Sequence, residues 1–77
     1  MKVKDFISRY AGLGNELSIY VRDFLGYEYP LITFEDGAQR IHLNFQEDYA
    51  EHCIKEIEGR SGYIMLILKR ERRRNNG

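Results

Sequence analysis

Three side chains in this sequence are the usual ligands of a transition metal: His42, His52 and Cys53. A structural zinc site needs four such groups converging, and a catalytic one needs three. His52 and Cys53 are adjacent, and on the helix expected there they point about 100° apart. They cannot readily grip one ion, so no metal site is expected. Cys53 falls on the apolar stripe of that helix and reads as a small core residue. Nucleophilic catalysis would need an accessible thiol or a serine beside a histidine. Burial argues against Cys53, and Ser8, Ser18 and Ser61 have no motif around them. The carboxylates Glu47, Asp48, Glu51, Glu56 and Glu58 sit at the start or on the solvent face of the same helix, where acid pairs are a hydrated surface. Gly12-Leu13-Gly14 lacks the third glycine of a dinucleotide loop and follows a helix, not a strand. No catalytic residue, cofactor or metal is expected, and the chain does not read as an enzyme.

Aromatic and basic residues carry more. A sheet face bearing Tyr20, Arg22, Arg40 and His42 could stack bases and hold phosphates. Arg70, Arg72, Arg73 and Arg74 would add phosphate contacts. No named nucleic-acid motif accompanies them. Tyr27 and Tyr29 flank Glu28 at a loop tip. Exposed tyrosines there suit a protein partner, since they bring large area at low entropy cost.

These groups must be positioned by a small set of elements. Val3, Phe6, Ile7 and Tyr10 recur at helical spacing, and Gly12 is placed to end that helix. Leu17, Ile19 and Val21 alternate with polar residues as a half-buried strand. Gly26 to Pro30 breaks it. Leu31 to Glu35 is a second strand. Asp36-Gly37 signals a tight hairpin, and Arg40 to Phe45 returns as a third, with Ile41, Leu43 and Phe45 inward. Asp48 and Glu51 resemble a capping box. Ala50, Cys53, Ile54 and Ile57 then form a second helical stripe, ended by Gly59. Tyr63-Ile64-Met65-Leu66-Ile67-Leu68 is the most apolar run in the chain and reads as a strand buried on both faces.

The expected fold is therefore α+β, a two-layer sandwich in the order α-β-β-β-α-β. An antiparallel meander is joined by a fourth strand, with both helices on one face. Residues 1–70 form a single domain and 71–77 a basic polar tail. The fourth strand is expected at an edge beside the first, in the order 3-2-1-4. Only one of its two side-chain sets can pack under the helices. The other would leave roughly 300 Å² of apolar surface open. With Ile64 and Leu66 on that surface, pairing of strand 63–68 with a second copy gives a homodimer.

The 77 residues carry no net charge, but the balance is uneven. Lys69 to Gly77 holds five basic groups and one acid, +4, leaving seven and eleven, −4, on the body. A single cysteine excludes an internal disulfide and suits a reducing compartment. The amino-terminal stretch does not read as a signal peptide, and no apolar run approaches the ~20 residues needed to cross a bilayer. A cytoplasmic, membrane-free protein is expected.

The opening Met1-Lys2-Val3-Lys4-Asp5-Phe6-Ile7, a turn, and then Glu16-Leu17-Ser18-Ile19-Tyr20-Val21-Arg22-Asp23 resemble small phage and mobile-element proteins of Gram-positive bacteria. In these an amino-terminal helix leads into a β-meander. Some anti-CRISPR proteins are similar in size and element order. The resemblance covers about the first 45 residues, and its motifs are generic. It implies a small non-catalytic protein that works by binding, for example by inhibiting a CRISPR effector or another host complex in the host-cell cytoplasm. It carries over no functional residue. Unlike DNA-mimicking proteins of this kind, the chain is not strongly acidic. The partner-binding residues expected on this reading are Tyr20, Arg22, Tyr27, Tyr29, Ile64 and Leu66. The alternative is a small nucleic-acid-binding domain.

Overall fold

A computed structural model describes residues 1–11, 17–42 and 49–70, except for the side chain of Ala11. One helix, α1 (Val3–Ala11), lies against one face of a five-stranded sheet. The strands are β1 (Ser18–Arg22), β2 (Glu28–Glu35), β3 (Ala38–Ile41), β4 (Ile54–Arg60) and β5 (Tyr63–Leu68), in the spatial order β3-β2-β1-β5-β4. The expected α+β class holds. Leu43, Phe45, Asp48, the turn at Gly12 and the basic tail lie outside the described residues.

The first helix forms where its apolar spacing places it. Val3 and Ile7 are buried, while Phe6 and Tyr10 stack at 5.5 Å and pack against the core. Its first amides have no intrahelical partner. Val3 N–H donates to the His52 carbonyl and Lys4 N–H to that of Ala50. The turn at 49–52 thus caps the helix. Glu51 fastens the same junction by accepting from Lys2 Nζ at 2.9 Å and Lys4 Nζ at 2.6 Å. Those hydrogen bonds, Lys4 first, hold its carboxyl down at about 2.

The Asp36-Gly37 hairpin is built as its sequence demands. Asp36 has φ 53° and Gly37 φ 79°, the paired left-handed backbone of a two-residue hairpin turn.

The expected second helix is absent: Ile54–Arg60 is the strand β4, paired antiparallel to β5 through the Ser61-Gly62 turn. The reason lies in one irregularity. Ile54 and Ile57 are three apart, which suits a helix and would place them on opposite faces of a regular strand. A bulge at Lys55, between the pairs Ile54↔Leu68 and Glu56↔Ile67, shifts the phase by one residue. Both isoleucines then turn to the helix side, where Ile57 lies across from Leu66.

This hairpin also changes the place of the apolar run. β5 pairs in parallel with β1 on one side and antiparallel with β4 on the other, so it is an interior strand and not an edge. The order 3-2-1-4 is thus extended by one strand, and the edge through which strand 63–68 was to form a homodimer is occupied. Ile64 and Leu66, expected on the open surface, are buried with Leu68 beneath α1. Ile19 and Val21 pair beside them, and Leu31 and Ile32 complete that layer.

The other side of β5 is not an open apolar patch either. Met65 is only 2% exposed. It lies between Tyr20 on β1 and Glu58 on β4. Tyr63 packs edge-on against Tyr20 at 5.3 Å, and Ile67 is half-buried.

Candidate binding loop and the open sheet face

Asp23, between β1 and β2, organises the connecting loop. Its N–H donates to the Tyr27 carbonyl at 2.9 Å, and its own carbonyl accepts from Gly26 N–H at 3.0 Å. Its carboxylate accepts from the amides of Leu25 and Tyr27, both at 3.0 Å. An aspartate that bonds its own following backbone is a strong turn former. Gly26 adopts φ 92°, the left-handed conformation of the third residue in a three-residue hairpin loop, where it follows the turn centred on Phe24 and Leu25. Every bond closing the loop is local.

This scaffold holds three large apolar side chains out in water. Phe24 is 54% exposed, Leu25 68% and Tyr27 61%. Single exposed apolar residues are ordinary. Three within four consecutive positions, on a loop fixed by its own hydrogen bonds, form a preorganised apolar tip. The Arg70 guanidinium stands 5.6 Å from the centroid of the Phe24 ring, in cation–π range. Behind the tip, Arg22 donates through Nε and Nη2 to one oxygen of Glu28, at 3.0 and 2.7 Å.

The sequence-expected residues separate into distinct places. Tyr27 stands at the tip, but Tyr29 does not. Its ring stacks on Tyr49 at 5.7 Å on the helix side, and Tyr49 meets His52 edge-on at 5.2 Å. Tyr20 is half-buried in its pair with Tyr63. Ile64 and Leu66 are core. Arg40 lies on the far edge strand across from Thr33, and Thr33 Oγ1 shares a 3.0 Å hydrogen bond with His42 Nε2. Arg70 is beside Phe24 at one end of the sheet. Arg72, Arg73 and Arg74 lie outside the described residues.

Tyr20, Arg22, Arg40 and His42 do share the open face, as expected, with Arg70 at one end of the sheet, but carboxylates are interleaved with them. The open face alternates in sign: Arg22 is tied to Glu28, Arg60 hydrogen-bonds Glu58, and Glu56 lies beside Ile67. The Arg60 bond lowers the Glu58 carboxyl below its usual value and raises the Arg60 guanidinium above its own. A phosphate backbone would meet carboxylates there as often as cations.

Phe24 and Leu25 escaped the sequence reading because they fall in the segment that breaks a strand. The signal was present in Asp23-Phe24-Leu25-Gly26. Asp and Gly mark a turn whose two middle positions need no apolar side chain for folding.

Among the described residues no three His, Cys, Asp or Glu side chains converge as a metal site, and Cys53 is a half-buried free thiol. No described helix is long and apolar enough to cross a membrane. No family model, curated protein or solved structure matches the chain.

Proposed function

We propose that this chain is a non-catalytic protein-binding module that docks through the tip Phe24-Leu25-Gly26-Tyr27. The observation that carries this reading is the exposure of Phe24, Leu25 and Tyr27 on a loop closed by both the backbone and the carboxylate of Asp23. A few buried anchors, aromatic side chains prominent among them, supply most of the energy of protein interfaces, and preorganisation spares the entropy of ordering them. Arg70 adds a cation at the rim of the tip, suited to a partner pocket with an acidic border. Such a module works by occupying a surface of a larger complex. That is how a phage-type inhibitor or accessory factor, including an anti-CRISPR protein, would act.

The test compares the wild-type chain with Leu25→Asp, immobilised side by side and exposed to bacterial lysate and to purified CRISPR effectors. Leu25 lies outside the core, so the variant should melt with the wild type. The expected result is a partner retained by the wild type and lost by the variant. Equal retention by both would refute docking through the tip. Titration with labelled single-stranded and duplex oligonucleotides at two salt concentrations tests the alternative. Tight, steeply salt-dependent binding would favour a nucleic-acid function instead.

A further inference from the structure

The outer edge of β4 is the longest unpaired strand edge among the described residues. The amino terminus covers only its beginning. Ile54 N–H donates to the Met1 carbonyl, Val3 N–H donates to the His52 carbonyl, and Lys2 bridges to Cys53. From Lys55 to Arg60 no described segment pairs with it. Arg60 and Tyr63 flank the two-residue Ser61-Gly62 turn and form its first pair. Hydrogen-bonded and open pairs alternate along an antiparallel ladder. Counting from Arg60, Ile57 and Gly59 direct their amide and carbonyl groups away from β5.

We propose that β4 pairs antiparallel with β4 of a second copy about a two-fold axis through Glu58, joining two sheets into one. In that register Ile57 faces Gly59 of the second copy, and each exchanges two backbone hydrogen bonds with the other. Ile57 is 49% exposed on the helix side. Nothing lies within 4 Å of a Cβ built on Gly59, so the strand offers open space where the neighbouring isoleucine would rest. On the opposite face Glu56 meets Arg60 of the second copy, twice by symmetry. The five residues 56–60 that pair lie within the stretch left uncovered by Met1–Val3.

The charges choose this register. A slide of two residues one way sets Glu56 against Glu58 of the other copy twice, and like charges directly opposed are destabilising. A slide of two the other way carries Ile57 into the Ser61-Gly62 turn. The chosen register keeps one like pair, Glu58 with itself, and each of those carboxylates already accepts from its own Arg60. The contact is small, so the dimer is weak. It would place the two apolar tips at opposite ends of a continuous sheet. Its residues are separate from the tip, so either proposal can fail alone.

Sedimentation equilibrium of the full chain from micromolar to about 1 mM tests it. The expected result is a monomer–dimer equilibrium, weakened at least tenfold by Ile57→Lys and by Glu56→Lys and unchanged by Leu25→Asp. In a Glu58→Gln background, combining Glu56→Lys with Arg60→Glu should restore association, because the pair is rebuilt with reversed signs and no Glu58 carboxylate is left without its Arg60. Glu58→Gln should tighten it by removing the like pair. Circular dichroism confirms that each variant is folded. A monomer throughout the range, or association that Glu56→Lys leaves unchanged or that the double variant does not restore, would overturn the proposal.

Discussion

Met65→Ala should destabilise the protein substantially, although Met65 lies on the face of the sheet opposite α1. Burial decides this: Met65 is as inaccessible as Ile19 under the helix, both 2% exposed. Replacing a buried Met or Leu by Ala costs about 2–5 kcal/mol, from lost transfer energy and the cavity left behind. Tyr20 and Glu58 flank Met65 on the neighbouring strands, and long side chains such as these can settle into a void. The cost should fall low in that range, about 2–3 kcal/mol. Leu66→Ala removes a side chain enclosed by α1, β1 and β4, where collapse is harder, and should cost about 3–4 kcal/mol. A 77-residue domain has only roughly 4–11 kcal/mol of stability in total. In a domain of this size 1 kcal/mol moves Tm by about 4–8 °C, so Met65→Ala should lower it by roughly 10–20 °C. Thermal and urea unfolding followed by circular dichroism measure both variants. If Met65→Ala changes stability by less than about 0.5 kcal/mol, as ordinary surface substitutions do, the second side of β5 is not a packed layer.

Leu66→Lys should unfold the protein, whereas Ile67→Lys should leave it folded with a lowered Tm, because half-buried Ile67 can reach water from the open face; equal loss of the far-ultraviolet spectrum in both would contradict the facing of β5. Glu51 binds Lys2 and Lys4 only when ionised, and its carboxyl is depressed from an ordinary 4.5 to about 2. Its contribution is therefore complete above pH 4.5 and lost as the pH falls through about 2. Urea unfolding between pH 6 and pH 2 should show a shallower acid loss in Glu51→Gln than in the wild type; identical profiles would remove Glu51 from the helix cap. Gly37→Ala meets no steric obstacle, but its φ of 79° costs an L residue about 1 kcal/mol, so Tm should drop by several degrees. An unchanged Tm would mean that the turn relaxes.

What the sequence revealed and what it concealed follow from how local each signal is. α1, the β2–β3 turn at Asp36-Gly37 and the apolar run of β5 are set by residues within a few positions of each other, and all were legible. β4 was not, because its apolar spacing of three is restored to strand phase only by the bulge at Lys55, which depends on pairing with β5. That single misreading moved β5 to an edge and opened its second face. The site was half legible. Tyr27 was placed correctly on a tip, whereas Tyr29 turned inward because Tyr49, distant in sequence, supplies the ring on which it stacks. Phe24 and Leu25 belong to a turn, where apolar residues leave no periodic trace.

The central claim, docking through the loop between β1 and β2, is tested most directly by photo-crosslinking. A benzophenone amino acid is placed at Leu25 in one version of the protein and at Arg40, on the opposite edge strand, in another. Both are irradiated with bacterial lysate and with purified CRISPR effector complexes. Docking through the tip gives a discrete crosslinked partner from position 25, suppressed by excess unlabelled wild type, and none from position 40. Crosslinking from position 40 with position 25 silent would contradict it.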